Sequence, residues 1–327
     1  MILLNLRHVR GGATCCMEYK DLLFDPDISW DRVTQCFPPP AKLYKYQSFV
    51  TQEKRENPYW MVNMCGQFHT SQGRDFEDKL DCSPSFNQKR VTEYIDGLLK
   101  AAHTTEIKRR NVLLSVERAI NPDYLSRVEK NYQKDIQIGC FTDSADNEAM
   151  WDKYSCDKTG FCIEYATQKN RLLRSSTLPV VYENDPYDSS LMLASMIILC
   201  SIKAGLLDPM LTEYETEYAR LLKTTYIPLF IKKPSWAFER EYRMFLLKHR
   251  STREGMLTNQ DYLDSNGNID LSDAVTAIYL GQNFENNQNA PQLRAQIISI
   301  CKEKNISLYK KELQNGNTIN KRLLSRR

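Results

Sequence analysis

The segment Lys232-Lys233-Pro234-Ser235-Trp236-Ala237-Phe238-Glu239-Arg240-Glu241-Tyr242-Arg243 holds the densest mix of chemistry-bearing residues in this chain. Two carboxylates stand two residues apart, with bases and aromatic rings around them. The sharp reading of such a group is a Glu-x-Glu catalytic pair at a cleft. The apolar run Met244-Phe245-Leu246-Leu247 follows directly, so the segment is read as a loop entering a buried strand. On a strand Glu239 and Glu241 point to one face, where they repel unless a base or a ligand stands between them. Arg240 and Tyr242 take the opposite face, and Arg243 joins the acidic face only if the strand bends. A solvated strand edge carrying an ion pair fits the same pattern.

A second group of acids, Asp75, Glu77, Asp78 and Asp81, lies in the polar loop from Gln72 to Ser85. These could gather a divalent cation, with Lys233 on a phosphate, as in a metal-dependent nuclease. The bland reading is an exposed acidic loop. No metal is expected from the remaining ligand types. The four histidines are far apart, and the ten cysteines include no Cys-x-x-Cys pair. Asp264-Ser265-Asn266-Gly267-Asn268-Ile269-Asp270 lacks the spacing of a calcium loop and reads as a hairpin turn. There is no glycine-rich dinucleotide turn, P-loop, nucleophile elbow or His-Glu-x-x-His helix.

The elements that must position these residues alternate between strand and helix patterns. Strands are expected at Leu43–Phe49, Gly66–Ser71, Asp135–Phe141, Gly160–Tyr165, Pro179–Tyr182, Arg243–Leu247, Val275–Leu280 and Ile306–Tyr309. Helical spacing runs from Asn87 to about Tyr132, with Asn121-Pro122-Asp123 starting a new helix. Thr142-Asp143-Ser144 is expected to cap a helix carrying Met150, Trp151 and Tyr154. Another helical block covers about 186–226, with turns at Leu207-Asp208-Pro209, and Pro291–Cys301 is a further helix. The fold class is therefore α+β, with one mixed, mainly antiparallel β core and helical insertions. Residues 1–40 form an N-terminal extension or cap, ending at Pro38-Pro39-Pro40. Residues 41–312 form a single domain with an insertion at about 186–226, and 313–327 form a basic, disordered tail.

The net charge of +3 is too small to argue for nucleic-acid or membrane binding. The short basic clusters, Lys108-Arg109-Arg110 and the C-terminal arginines, read as solvated faces. The longest apolar stretch, Leu191 to Ile202, is about half a membrane span. Cysteines in apolar runs (Cys140, Cys162, Cys200) point to a reducing, cytoplasmic setting.

Taken in order, Leu43-Tyr44-Lys45-Tyr46, Phe76 with Asp78 and Asp81, Cys140-Phe141-Thr142, Met150-Trp151 with Tyr154, Gly160-Phe161-Cys162-Ile163-Glu164-Tyr165, Val181-Tyr182, Lys233 with Trp236, Glu239-x-Glu241-x-Arg243 and Ile278-Tyr279-Leu280-Gly281 form a pattern. It resembles a bacterial domain-of-unknown-function family often found among mobile-element and phage-defence genes, over about residues 40–285. Two departures stand out. Gln47 replaces the arginine usual after the Lys-Tyr pair, and Glu77-Asp78-Lys79-Leu80-Asp81 replaces an Asn-Asp-Pro-Phe-Asp loop. If that arginine handles a phosphate, this copy is either weakened or uses another base such as Lys45.

The order of a basic strand, a strand ending in Ser/Thr and a late Glu-x-Glu strand is similar, more loosely, to ADP-ribosyltransferases. That resemblance implies NAD as a co-substrate and a protein or nucleic-acid acceptor. It makes Glu241 the catalytic carboxylate and Glu239 the neighbour that orients the acceptor. Lys45 would hold phosphate, with Arg243 counted among the cofactor-binding residues. His69, Thr70 and Ser71 would line the pocket, and Tyr46 or Trp236 would stack on the nicotinamide. Against this stand a non-enzymatic interaction or sensing module, with the aromatics as core and the Glu/Arg cluster as an ion-pair network, and the nuclease reading above. Glu164 pairs with Arg243 if their strands are adjacent.

Overall fold

The computed structural model describes residues 17–51, 55–78, 81–101, 103–203, 223–247, 263, 264, 267–314 and 317–324. In chain order the elements are α1 (Tyr19–Phe24), α2 (Trp30–Cys36), β1 (Lys42–Gln47), α3 (Trp60–Met64), β2 (Gln67–His69), β3 (Ser71–Gln72), α4 (Gln88–Ala101), α5 (Glu106–Ala119) and α6 (Pro122–Asp135). Then come β4 (Ile136–Thr142), α7 (Glu148–Tyr154), β5 (Phe161–Ala166), α8 (Arg171–Ser176), β6 (Thr177–Pro179), β7 (Val181–Tyr182), α9 (Ser190–Lys203) and β8 (Ile231–Lys232). The chain closes with β9 (Glu241–Leu247), β10 (Asn268–Asp270), β11 (Val275–Leu280), α10 (Ala290–Glu303), β12 (Ser307–Gln314) and β13 (Asn317–Leu324).

The main sheet runs β13-β12-β11-β5-β1-β4-β9-β6, with β3 alongside β4. Its pairs are antiparallel except β11 with β12, which α10 connects. The mainly antiparallel pairing, with helices packed on the sheet, makes the fold α+β.

Strand alternation assigns side chains to two faces. On one face Leu43, Phe141, Phe161, Ile163, Tyr165, Met244, Ile278 and Leu280 pack with Trp60, Phe68, Ile297 and Cys301 from the covering elements. On the other, Ile136, Ile138 and Leu178 meet Leu22, Leu23 and Val33 of the first two helices, together with Phe230. Farther along that face Trp151 of α7 meets Tyr46, Cys162, Ala277 and Tyr279. A separate helical cluster joins α4, α5 and α9 through Val91, Ile95, Leu99, Val116, Ile120, Leu193 and Ile198, with Leu125 and Val128 of α6 packed against it.

Local chemistry explains several element ends. Asn121 caps α6 by accepting from the Tyr124 amide at 2.9 Å, with Pro122 in the first turn. The cap of α7 is Asn147, which accepts from the Met150 amide at 3.2 Å. Thr142-Asp143-Ser144 instead ends β4 and leads into the loop before that cap. Of the helical block at 186–226, α9 and a 3-10 helix from Lys223 to Phe230 are seen, while the turn expected at Leu207-Asp208-Pro209 lies outside the described residues. The expected disordered tail is corrected over 317–324. Asn317–Leu324 pairs with β12 as a hairpin, with register partners from Gln314↔Asn317 to Leu308↔Leu324.

Candidate functional site

The site grows from the two residues that end one element and begin another. Pro234–Glu239 is a 3-10 helix with proline in its first turn, and Arg240 follows in the left-handed region at φ 48°, ψ 51°. That reversal places Glu239 on the rim of the helix and Glu241 at the mouth of β9. Both reach one base. Lys232 Nζ donates to Glu239 Oε2 at 2.5 Å and to Glu241 Oε2 at 3.0 Å, and lies 3.6 Å from Asp81 Oδ2. Lys232 is held by the short parallel pairing of β7 with β8, opposite Tyr182. The Tyr182 hydroxyl in turn accepts from the Glu241 amide at 2.9 Å.

Arg243 lies on the same strand face as Glu241 with no bend in β9, as a two-residue period dictates. Its side chain is wholly buried. Nε and Nη2 donate to the two oxygens of Glu241 at 2.8 and 3.0 Å. Nη1 and Nη2 donate to the two oxygens of Asp81 at 2.7 and 2.8 Å, and Nη1 also reaches the Leu229 carbonyl at 2.6 Å. A guanidinium has five N–H donors, and every one is engaged. Arg243 therefore has nothing left for a cofactor phosphate, which corrects that expectation. It also does not meet Glu164, because β1 and β4 stand between β5 and β9. Glu164 pairs instead with Lys42 at 3.0 Å.

The buried groups form two cations, Lys232 and Arg243, and three carboxylates, Asp81, Glu239 and Glu241. Fully ionised, the set carries one surplus negative charge. Burial alone would raise the Glu241 carboxyl, but Arg243 and Lys232 beside it hold it well below the usual carboxylate range. Burial, reinforced by the neighbouring Glu241 charge, leaves Glu239 raised despite its bonds from Lys232 and Tyr154. Of the two glutamates, Glu239 is therefore the one disposed to take up a proton, and Glu241 stays ionised. Burial opposes the charge on Lys232, yet the acids around it keep its ammonium protonated.

The rim is aromatic and basic. The half-exposed Tyr154 donates its hydroxyl to Glu239 Oε1. Trp236 has Lys232 Nζ 4.8 Å and Lys153 Nζ 4.5 Å from its ring centroid and stacks on Phe238 at 6.1 Å. Lys153 also pairs with the exposed Glu77 at 2.7 Å, and Lys233 with Asp78 at 3.3 Å.

Of the expected site residues the structure brings Glu239, Glu241, Trp236 and Arg243 together. It does not bring in Lys45, Tyr46, His69, Thr70 or Ser71. Lys45 lies on the opposite sheet face, with its ammonium 4.9 Å from the Phe68 ring. Tyr46 is buried, donates to the Ser144 carbonyl at 2.9 Å and packs edge-on against Trp151, so it is core rather than a stacking platform. His69 is exposed beside Asn268. Thr70 is buried with its hydroxyl between Gln137 Oε1 and the Gly267 carbonyl. Ser71 pairs with Ile138, four residues along β4 from the Thr142 opposite Glu241, about 13 Å away at strand rise.

The acidic loop does not gather either. Asp75 closes its own turn by accepting from the Gln72 amide, Glu77 and Asp78 take separate lysines, and Asp81 is buried on Arg243. Among the described residues no group of three or more His, Cys, Asp or Glu is arranged to hold a metal ion.

Lys232, Asp81, Tyr154 and Tyr182 are the members that sequence reasoning did not assign to this site. Lys232 opens the same segment, and a base between two repelling glutamates was its signal. Asp81 was marked only through the family pattern and as one of four loop acids, and nothing in its sequence neighbours ties it to Arg243.

No curated protein and no solved structure matches the chain. A family model described as a protein of unknown function, DUF2971, matches residues 150–244, a stretch that carries Tyr154, Lys232, Trp236, Glu239, Glu241 and Arg243 of this site.

Proposed function

We propose that this chain is an NAD-consuming enzyme, of the ADP-ribosyl-transferring or NAD-cleaving kind, working through Glu239. The observation that carries the reading is the surplus negative charge of a buried ion cluster, placed on the one carboxylate that lies beside an aromatic rim. In such a reaction the bond from the ribose C1′ to the pyridinium nitrogen breaks, and nicotinamide leaves with the electron pair. An acceptor hydroxyl, amine or water then bonds C1′ and gives up its proton. A carboxylate beside the developing oxocarbenium lowers that barrier. Glu239 supplies the carboxylate and a place for the released proton. Glu241, locked by Arg243, keeps Lys232 in position and the local field fixed. Trp236 offers a ring face to the leaving group. The role that the resemblance gave to Glu241 thus passes to Glu239, because Glu241 is saturated by two cations. A role in bacterial defence, implied by the separate resemblance to the domain-of-unknown-function family, is part of this proposal.

The saturation of Arg243 and Glu241 favours a second reading, a binding module in which the cluster only holds the rim in shape. Incubation with labelled NAD, alone and with lysate, separates the two. Nicotinamide release or label transfer that is lost in Glu239→Gln supports the enzyme. Absence of turnover by the wild-type protein leaves the binding module. Turnover that survives Glu239→Gln refutes the assignment of Glu239.

A further inference from the structure

The ring of Trp236 carries two ammonium groups, and they are held very differently. Lys232 is 8% exposed and bonded to Glu239 and Glu241. Lys153 is 31% exposed, and its only carboxylate partner among the described residues is Glu77, itself 71% exposed. It projects from the last turn of α7, next to Tyr154, whose ring it also approaches at 5.6 Å. An exposed ion pair is worth about 0–1 kcal/mol, and an exposed cation over an aromatic face about 0.5–1 kcal/mol. Lys153 is therefore the removable cation. Two like charges on one ring persist because the carboxylates below carry the surplus negative charge, so the place over Trp236 is built for positive charge.

We propose that Lys153 is an internal occupant of a cation-binding place on Trp236, and that the external ligand is a flat cationic ring of the pyridinium class that displaces it. This rests on the reading of Trp236 as the platform for the leaving group. The ligand's charge meets the field of Glu239, and its face meets the indole. Its arrival sends Lys153 outward to Glu77, which is already its partner. A neutral ring of the same shape gains the stacking but not the charge, so it does not compete with the ammonium. Lys153 is then a specificity-determining residue, setting how much positive charge a ligand must bring.

Equilibrium binding of 1-methylnicotinamide and of neutral nicotinamide to the full chain, followed by ligand-observed NMR, tests this without requiring turnover. The cation is expected to bind the wild-type protein and to bind Lys153→Met about two- to five-fold more tightly, the fold-change that a lost cation–π contact implies. Trp236→Leu is expected to lose the binding, with Trp236→Phe keeping a weaker form should the leucine variant fold poorly. Nicotinamide is expected to bind wild type much more weakly than the cation does and to gain affinity in Lys153→Met, where no ammonium occupies that place on the ring. Unchanged or weaker cation binding by Lys153→Met overturns the proposal, as does equal affinity for the neutral ring. Binding of the cation with the expected Lys153 response, but no NAD turnover, leaves this inference standing and removes the enzymatic reading. Turnover of NAD with no Lys153 effect on binding does the reverse.

Discussion

Arg243 and Asp81, 162 residues apart in the chain, meet through two parallel hydrogen bonds of 2.7 and 2.8 Å where neither side chain reaches solvent. The same guanidinium grips Glu241 from its other edge. One planar side chain thus ties the loop before α4 to the mouth of β9. A buried ion pair is dangerous to break, because the abandoned carboxylate keeps its desolvation penalty; loss of one partner costs about 3–5 kcal/mol. Arg243→Lys is therefore not conservative, since an ammonium cannot serve both carboxylates in fork geometry. Urea unfolding is expected to show a loss of at least about 3 kcal/mol for Arg243→Lys. A loss under about 1 kcal/mol, the worth of an exposed pair, contradicts a buried network at Arg243.

Glu239 gives the cluster an unusual pH response. Its folded-state affinity for a proton is raised by burial and by Glu241, so its contribution to stability is full below the ordinary carboxylate range and is lost as pH rises through the raised value. Glu241 runs the other way: held low by Arg243 and Lys232, it contributes above the ordinary range and loses that contribution as pH falls. Glu239→Gln mimics the protonated form at every pH. Thermal unfolding from about pH 4 to about pH 8 is expected to show the variant gaining on wild type as pH rises. A constant difference across that range means that Glu239 has an ordinary proton affinity.

How much of this was legible from the chain depends on whether the signal was local. The strand at Val275–Leu280, the Asn121 cap and the grouping of Glu239 with Glu241 follow from neighbours in sequence, and the structure has them. What was hidden depends on strand order. Lys45 sits in a basic strand, but a one-residue step decides its sheet face, and the register puts it with Phe68 rather than with Glu241. Glu164 and Arg243 have complementary charges, yet two strands separate them. Asp81 looked like one of four acids in a polar loop, and nothing near it in sequence indicates that it alone is buried on Arg243.

Glu164 is a second buried carboxylate, and its partners make its worth measurable. It accepts from the hydroxyls of Tyr44, Tyr279 and Thr276 at 3.2, 2.9 and 2.7 Å and from Lys42 at 3.0 Å. Burial would raise it, but these donors together bring it below the usual value. An amide at this position turns one acceptor oxygen into a donor facing donors. Glu164→Gln is expected to cost about 1–3 kcal/mol, whereas Lys42→Met, which removes the exposed partner, costs under about 1 kcal/mol. Equal effects in chemical denaturation contradict the ranking. Because the carboxyl is held low, its contribution should also fade as pH falls below the ordinary carboxylate range.

The strand β5 and the turn that follows β11 are locked by two glycines whose backbones leave no room for a methyl group. A Cβ on Gly281 would lie 2.0 Å from the Lys158 carbonyl oxygen, and one on Gly160 would lie 2.1 Å from that of Gln47. The two residues are joined directly, with the Gly281 amide donating to the Gly160 carbonyl at 2.9 Å. Between α7 and β5 the chain passes through Cys156, Asp157 and Lys158, all left-handed at φ 52°, 54° and 65°. This strained turn fixes where α7 ends, and α7 carries both Lys153 and Tyr154 to the rim of the site. The clash is with backbone, so it cannot be relieved by a side-chain rotation. Gly281→Ala is expected to lose about 1–3 kcal/mol or more and, by shifting the end of α7, to weaken cation binding at Trp236 as well. Asp157→Gly should do the opposite for stability, gaining up to about 1 kcal/mol by relieving a left-handed residue. Calorimetric unfolding of the two variants beside wild type checks both signs, and a Gly281→Ala protein of unchanged stability would falsify the close approach.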